Sequence, residues 1–319
     1  VALRALTLVD ILAQLVTESG SDVPFNANEV VNQSTADFET LLLTGETLTA
    51  TTGTDYPVNI CQDAGPVAYW RLDDPVASAT AYDSNPWANT TYPKVPASVN
   101  GTVTFGTTGA MNGSTGATFN GSTGYLEVAN TTSLQRVNDL TIEFWLKVSS
   151  LAAAQVIVSK GTTGEYHVLL NTNGSISLLM GPAYNTVVIP AASITAGTWF
   201  HVAIVRTLVG KTVNAYLNGV NKFSGTYTTV PSTTTNVLRI GATSPTAGSF
   251  YSGVLDEVAL YWRALSATQV ANHYTWGTAS DVTSSGYGRG KYGYVQYPLP
   301  GAVAGAVYGT AVYGTDAYS

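Results

Sequence analysis

Leu140-Thr-Ile-Glu-Phe-Trp-Leu-Lys-Val148 decides the fold. Its apolar residues Leu140, Ile142, Phe144, Leu146 and Val148 fall at every second position, so a strand sets all five on one face. An α-helix would scatter them around its circumference. Working outward, short strand-like runs recur at 67–72, 125–128, 155–159, 166–170, 175–180, 199–206, 212–217, 236–241 and 254–262. Asn173-Gly174 and Asn218-Gly219 lie between such runs, where type I′ hairpin turns require positive φ at both turn residues. Many short strands punctuated by turns predict an all-β fold, a two-sheet antiparallel sandwich over 62–276. One helix is expected near its end, where Ser266 and Gln269 form a capping box ahead of Val270 and Tyr274.

The flanks read differently. Residues 1–61 form a helical and extended anchoring segment. Leu8, Val9, Leu12, Leu15 and Val16 recur at helical spacing behind a Thr7/Asp10 box, and a second short helix is expected from Ser34 to Leu43. Neither helix can bury its apolar stripe alone, so each needs the sandwich, a sister chain or another protein to pack on. Residues 277–319 are a Tyr/Gly-rich tail in which Ala306-Val-Tyr-Gly-Thr310 is repeated at once as Ala311-Val-Tyr-Gly-Thr315. Such a segment cannot form its own core. It is either a flexible end or a strip whose tyrosines lie in grooves of a neighbour.

Composition narrows the function. Charged residues make up 10% of the 319 positions, against roughly 25% in ordinary soluble domains. Thr, Ser, Asn and Gly take their place, which suits strands, turns and a chain packed among copies of itself. Thirteen basic residues against a net charge of −7 provide no cationic patch, so nucleic acid is not an expected partner. No apolar run reaches the ~20 residues of a membrane span. The opening stretch, interrupted by Asp10 and Gln14, is not expected to be a signal peptide. The lone cysteine, Cys61, permits no disulfide within the chain.

Four ordered blocks resemble the laminin-G-like/concanavalin A-like jelly-roll family found in bacterial and phage surface proteins. They are Pro66-Val-Ala-Tyr-Trp-Arg-Leu-Asp-Asp74 with Asp83; Phe119-Asn-Gly-Ser-Thr-Gly-Tyr-Leu-Glu-Val128; Gly197-Thr-Trp-Phe-His-Val-Ala-Ile-Val-Arg206 with Val213-Asn-Ala-Tyr-Leu-Asn-Gly-Val220; and Gly253-Val-Leu-Asp-Glu-Val-Ala-Leu-Tyr-Trp-Arg-Ala-Leu-Ser266. The resemblance implies the fold strongly and function weakly, because this fold serves lectins, glycosidases and adhesins alike. It also implies a structural calcium, with Asp83, Asp256 and Asp73 or Asp74 as candidate ligands. No cofactor is required. A second reading makes Asp256 a strand-edge residue that caps backbone amides.

No catalytic residues are assigned. A retaining glycosidase needs two carboxylates about 5 Å apart, and glycosidases of this fold present them as Glu-x-Asp-x-Glu. That string does not occur: Glu143 stands alone, and adjacent Asp256 and Glu257 are expected on opposite faces. His167, His201 and His273 lack metal-ligand spacing. For sugar binding, which stacks a ring on the sugar's apolar face, the candidates are Trp87, Tyr184 and Tyr251. The expected function is a structural bacteriophage virion protein, tail-associated or capsid-decorating, that displays a non-catalytic adhesion or carbohydrate-binding module. Its expected partners are other virion proteins, copies of itself and a host cell-surface glycan. The alternatives are a secreted or surface-attached bacterial lectin and, less favoured, a polysaccharide-degrading enzyme.

Overall fold

A computed structural model describes residues 56–279 save 87, 91–92, 162–163 and 182–183. The helices expected at 8–18 and 34–43, the tail after residue 279 and Trp87 lie outside them.

The alternating run becomes β7 (Leu140–Val148), a central strand of the first sheet. That sheet runs β14 (Val220–Thr226), β13 (Thr212–Leu217), β12 (Phe200–Arg206), β7, β16 (Ser252–Tyr261), β5 (Thr115–Asn120) and β4 (Val103–Thr108), with β1 (Ala68–Trp70) also paired to β16. The second sheet runs β11 (Tyr184–Ile189), β10 (Ile176–Met180), β9 (Tyr166–Leu170), β8 (Gln155–Lys160), β15 (Leu238–Ile240), β6 (Tyr125–Val128), β3 (Ala97–Asn100) and β2 (Thr80–Ala81). All paired strands are antiparallel. Between the sheets lies the main core, where Ile142, Phe144 and Leu146 of β7 meet Val168, Leu178 and Leu238 of the opposite layer. Each such side chain, fully buried, contributes roughly 1.5–3 kcal/mol. The expected antiparallel sandwich is the fold observed.

Asn218 and Gly219 adopt φ of 52° and 74°, as a type I′ turn demands, and join β13 directly to β14. The other pair departs from expectation. Gly174 is left-handed at 73°, but Asn173 is not among the positive-φ residues. Asn173 Oδ1 instead accepts hydrogen bonds from the Ser175 amide and hydroxyl, within a wider loop between β9 and β10.

Two helices cover the outer face of the first sheet. The Ser266/Gln269 box is formed and starts α2, Ala267–Thr278. The other helix, α1 (Tyr56–Ala64), was not expected, and the boundary read at 61/62 falls inside it. Val58, Asn59 and Ile60 give it poor intrinsic propensity. Tertiary burial of Tyr56, Ile60, Cys61 and Ala64 holds it instead. These four pack with Trp145, Tyr216, Tyr261 and Val270 in a second, outer core.

Candidate functional site

The outer side of β7 carries Thr141, Glu143 and Trp145, and all three are buried. Glu143 and Trp145 are 0% and 2% exposed. Opposite them, β16 carries a bulge: Asp256 registers with Trp145 and Ala259 with Glu143, so three steps on β16 span two on β7. Glu257 takes the left-handed conformation, φ 52°, inside the bulge. The expected opposition of Asp256 and Glu257 is thereby overturned. Asp256 faces outward beside Trp145, and Glu257 faces outward too, accepting a short hydrogen bond from the Tyr69 hydroxyl in the outer core. The bulge also hands the edge of β16 from β5, paired with Ser252–Leu255, to β1, paired with Val258–Leu260.

Glu143 is the hub of the outer layer. Its Oε1 lies 2.8 Å from His201 Nε2, its oxygens lie 2.9 Å from His273 Nδ1, and the Tyr261 hydroxyl donates to Oε2 at 2.7 Å. His273 Nε2 reaches Asp63 Oδ2 of α1 at 3.1 Å. An imidazole between two carboxylates donates to both only when both nitrogens carry protons. Burial pushes Glu143 up, but His273 and His201 outweigh it and hold the carboxyl below the usual range. Burial likewise lowers His273, and Glu143 with Asp63 raises it above the ordinary value. All three carboxylates on this face are buried and engaged in structural contacts: Glu143 with the histidines, Asp256 with the Ala110 amide and Ser114 hydroxyl, Glu257 with Tyr69. Burial and then the Glu257 charge raise Asp256 well above the carboxylate range.

The calcium candidates do not assemble, and of the sugar-stacking candidates only Tyr184 and Tyr251 fall among the described residues. Tyr251 is a core residue, 0% exposed, edge-on to Phe119 at 6.0 Å, and cannot offer its ring to a sugar. Tyr184 opens the edge strand β11, half-buried against Tyr227. Asp83 is occupied by the amides of Tyr69, Asn85 and Val95 at 2.9–3.0 Å. Asp73 pairs with Arg71 at 3.0 Å. Among the described residues no three His, Cys, Asp or Glu side chains gather to hold an ion. Hard oxygens do converge elsewhere, around the fully buried Lys160. Its ammonium donates to Asn130 Oδ1 and Asn236 O at 2.8 Å and to Thr234 O at 3.3 Å, with Glu165 Oε1 at 3.3 Å. A protein cation thus fills a cage of the ligand type that suits calcium.

One open pocket of about 330 Å³ lies where the end of α1 meets β1. Its buried wall includes Cys61, Ala64 and Pro66, and its mouth carries Gln62, Asp63, Asn89 and Arg263. The loop that carries Trp87 supplies Asn89 as well as the buried Asn85, whose amide donates to Val67 O at 3.0 Å. Sequence reading missed this site because residues about 200 positions apart, Asp63 and Arg263, build it.

Residues 120–271, just under half of the chain, match the family model described as the concanavalin A-like lectin/glucanases superfamily. The domain folds as a concanavalin A-like jelly roll. No curated protein matches its sequence. Among solved structures, the jelly roll is similar to domain 4 of AbnA, an extracellular arabinanase from Geobacillus stearothermophilus described in complex with arabinotriose. The identity is 20% and the TM-score 0.52, covering 66% of this chain and 98% of that one. It is also similar to the botulinum neurotoxin type G receptor binding domain, with 16% identity and a TM-score of 0.51, covering 67% and 54%. A botulinum neurotoxin type C structure, titled for its dependence on two ganglioside molecules in cell entry, shares 11% identity at a TM-score of 0.51, covering 68% and 52%. The match spans about half the length of the neurotoxin chains. At these identities the likeness is one of fold.

Proposed function

We propose that this jelly roll is a non-catalytic carbohydrate-binding module, displayed by a structural protein of a bacteriophage particle, tail-associated or capsid-decorating. The observation that carries the non-catalytic reading is the outer face of the first sheet. Its carboxylates Glu143, Asp256 and Glu257 are 0–1% exposed, and Asp256 is held by the 110–114 loop, so no pair of them flanks an open cleft as glycoside hydrolysis requires. The binding reading draws support from relatives in fold that are described with arabinotriose or gangliosides. The low charge content and the Tyr/Gly-rich composition of residues 277–319 support the virion reading. Trp87 and the half-buried Tyr184 are the rings proposed to stack on sugar.

The test uses the full chain on immobilised bacterial surface polysaccharides. Retention without release of reducing ends is expected, together with antibody labelling of the protein on intact particles by electron microscopy. Reducing ends that disappear in Glu143→Gln would overturn the non-catalytic reading. Particles free of the label would shift the assignment to a secreted bacterial lectin, which the likeness to a domain of an extracellular arabinanase favours.

A further inference from the structure

We infer that the pocket lined by the end of α1, Asn85, Asn89 and Arg263 is a subsite for a neutral sugar residue, an inference that rests on the carbohydrate-binding reading. Three features of the pocket support this. The first is size: about 330 Å³ falls at the lower end of small-ligand sites. That volume suits a single terminal sugar or its first linkage better than a long polymer.

The second is amphipathic lining. Ala64 and Pro66 form a buried apolar wall, and the mouth presents Gln62, Asp63, Asn89 and Arg263. A sugar ring has the complementary surface, a C–H face bounded by hydroxyls that both donate and accept. Planar amide, carboxylate and guanidinium groups meet such hydroxyls in pairs.

The third is preorganised charge. Asp63 Oδ2 is held by His273, which is itself fixed on Glu143. This carboxylate therefore enters the pocket already oriented, and it does not have to be ordered by the ligand. Asp63 and Arg263 bring opposite charges to the lining, and the chain as a whole carries −7. That balance disfavours an anionic sugar and matches a neutral one.

The experiment titrates the full chain with arabinotriose, maltotriose, cellotriose and 3′-sialyllactose, followed by calorimetry and by side-chain amide signals in NMR. At least one neutral trisaccharide should bind and shift the Asn89 and Gln62 amide signals. Asn89→Ala and Arg263→Ala, both at exposed positions, should each weaken that binding by about tenfold, the equivalent of one hydrogen bond. Asn221→Ala on the exposed edge strand β14 should leave it unchanged. Binding that survives both pocket substitutions overturns the subsite and leaves the module reading standing. Binding of sialyllactose alone, weakened by the same substitutions, overturns the neutral class. Absence of binding to every probe overturns the subsite together with the module reading beneath it.

Discussion

His273 joins two carboxylates from different elements: Nδ1 rests on Glu143 of β7 at 2.9 Å and Nε2 on Asp63 of α1 at 3.1 Å. One imidazole on α2 thus fastens the other helix to the sheet. Glu143 is 0% exposed, out of reach of the solvent that could replace its partners.

The first prediction follows from that burial. Glu143→Gln removes a buried anion shared by His201, His273 and the Tyr261 hydroxyl. Removing one member of a buried charged set typically costs about 3–5 kcal/mol. Urea denaturation of the full chain should show a loss of that size. A change within about 0.5 kcal/mol, ordinary for a surface site, would mean that the cluster contributes little to stability.

The second concerns pH. His273 is raised in the folded state, so its contribution is complete below the unfolded value of about 6.5 and is lost as pH rises through the folded value. Glu143 is lowered, so its contribution is complete above about 4.3 and is lost as pH falls through the folded value. The stability difference between the native chain and His273→Gln should therefore be greatest between about pH 4.3 and 6.5 and should shrink in more alkaline buffer. A difference that grows with rising pH would contradict the protonation assigned to His273.

A third prediction isolates His167, which is 4% exposed and hydrogen-bonded to Ser159 Oγ at 2.9 Å. Burial lowers its pKa to about 4. The unfolded chain binds a proton near pH 6.5 that the folded chain refuses until much lower pH, so this residue reduces stability on acidification. His167→Gln should flatten the stability profile between pH 6.5 and 4, by on the order of 3 kcal/mol across the range. An unchanged profile would refute the assignment.

The fourth tests the lysine cage. Lys160→Met leaves Glu165 buried without its ammonium, and a loss of about 3–5 kcal/mol is expected. Glu165 also accepts from the Arg136 and Thr234 amides. Lys160→Met with Glu165→Gln should therefore recover part of the loss, read as a positive coupling in a double-mutant cycle. Strict additivity would show that the 3.3 Å pair is not coupled.

How much of this was legible in sequence depends on the distance over which each feature is decided. The alternation of β7, the Ser266/Gln269 box and the Asn218-Gly219 turn are local, and each folds as its residues dictate. Helix α1 was invisible because its residues favour other conformations and only the sheet beneath it holds them. The bulge in β16 is a single extra residue that appears only in register with β7, and that one residue reversed the facing of Glu257. The convergence of Glu143 with His201 and His273 crosses 58 and 130 positions, and no local pattern spans such a gap. Tyr251 had the composition of a binding residue and the position of a core one, which only its packing against Phe119 reveals.

Trp145 settles one further matter, the way the domain is suspended. Its ring meets Tyr56, the first residue of α1, edge-on at 6.3 Å. A Cβ on Gly277, next to last in α2, would come within 2.3 Å of the same indole. The first and the last described helix of the jelly roll thus meet over a single tryptophan. Tension on the two ends would converge on that point and bear on the helices before it reached the strands. Among the described residues, none of the second sheet, from β2 to β11, joins the two helices in the outer core.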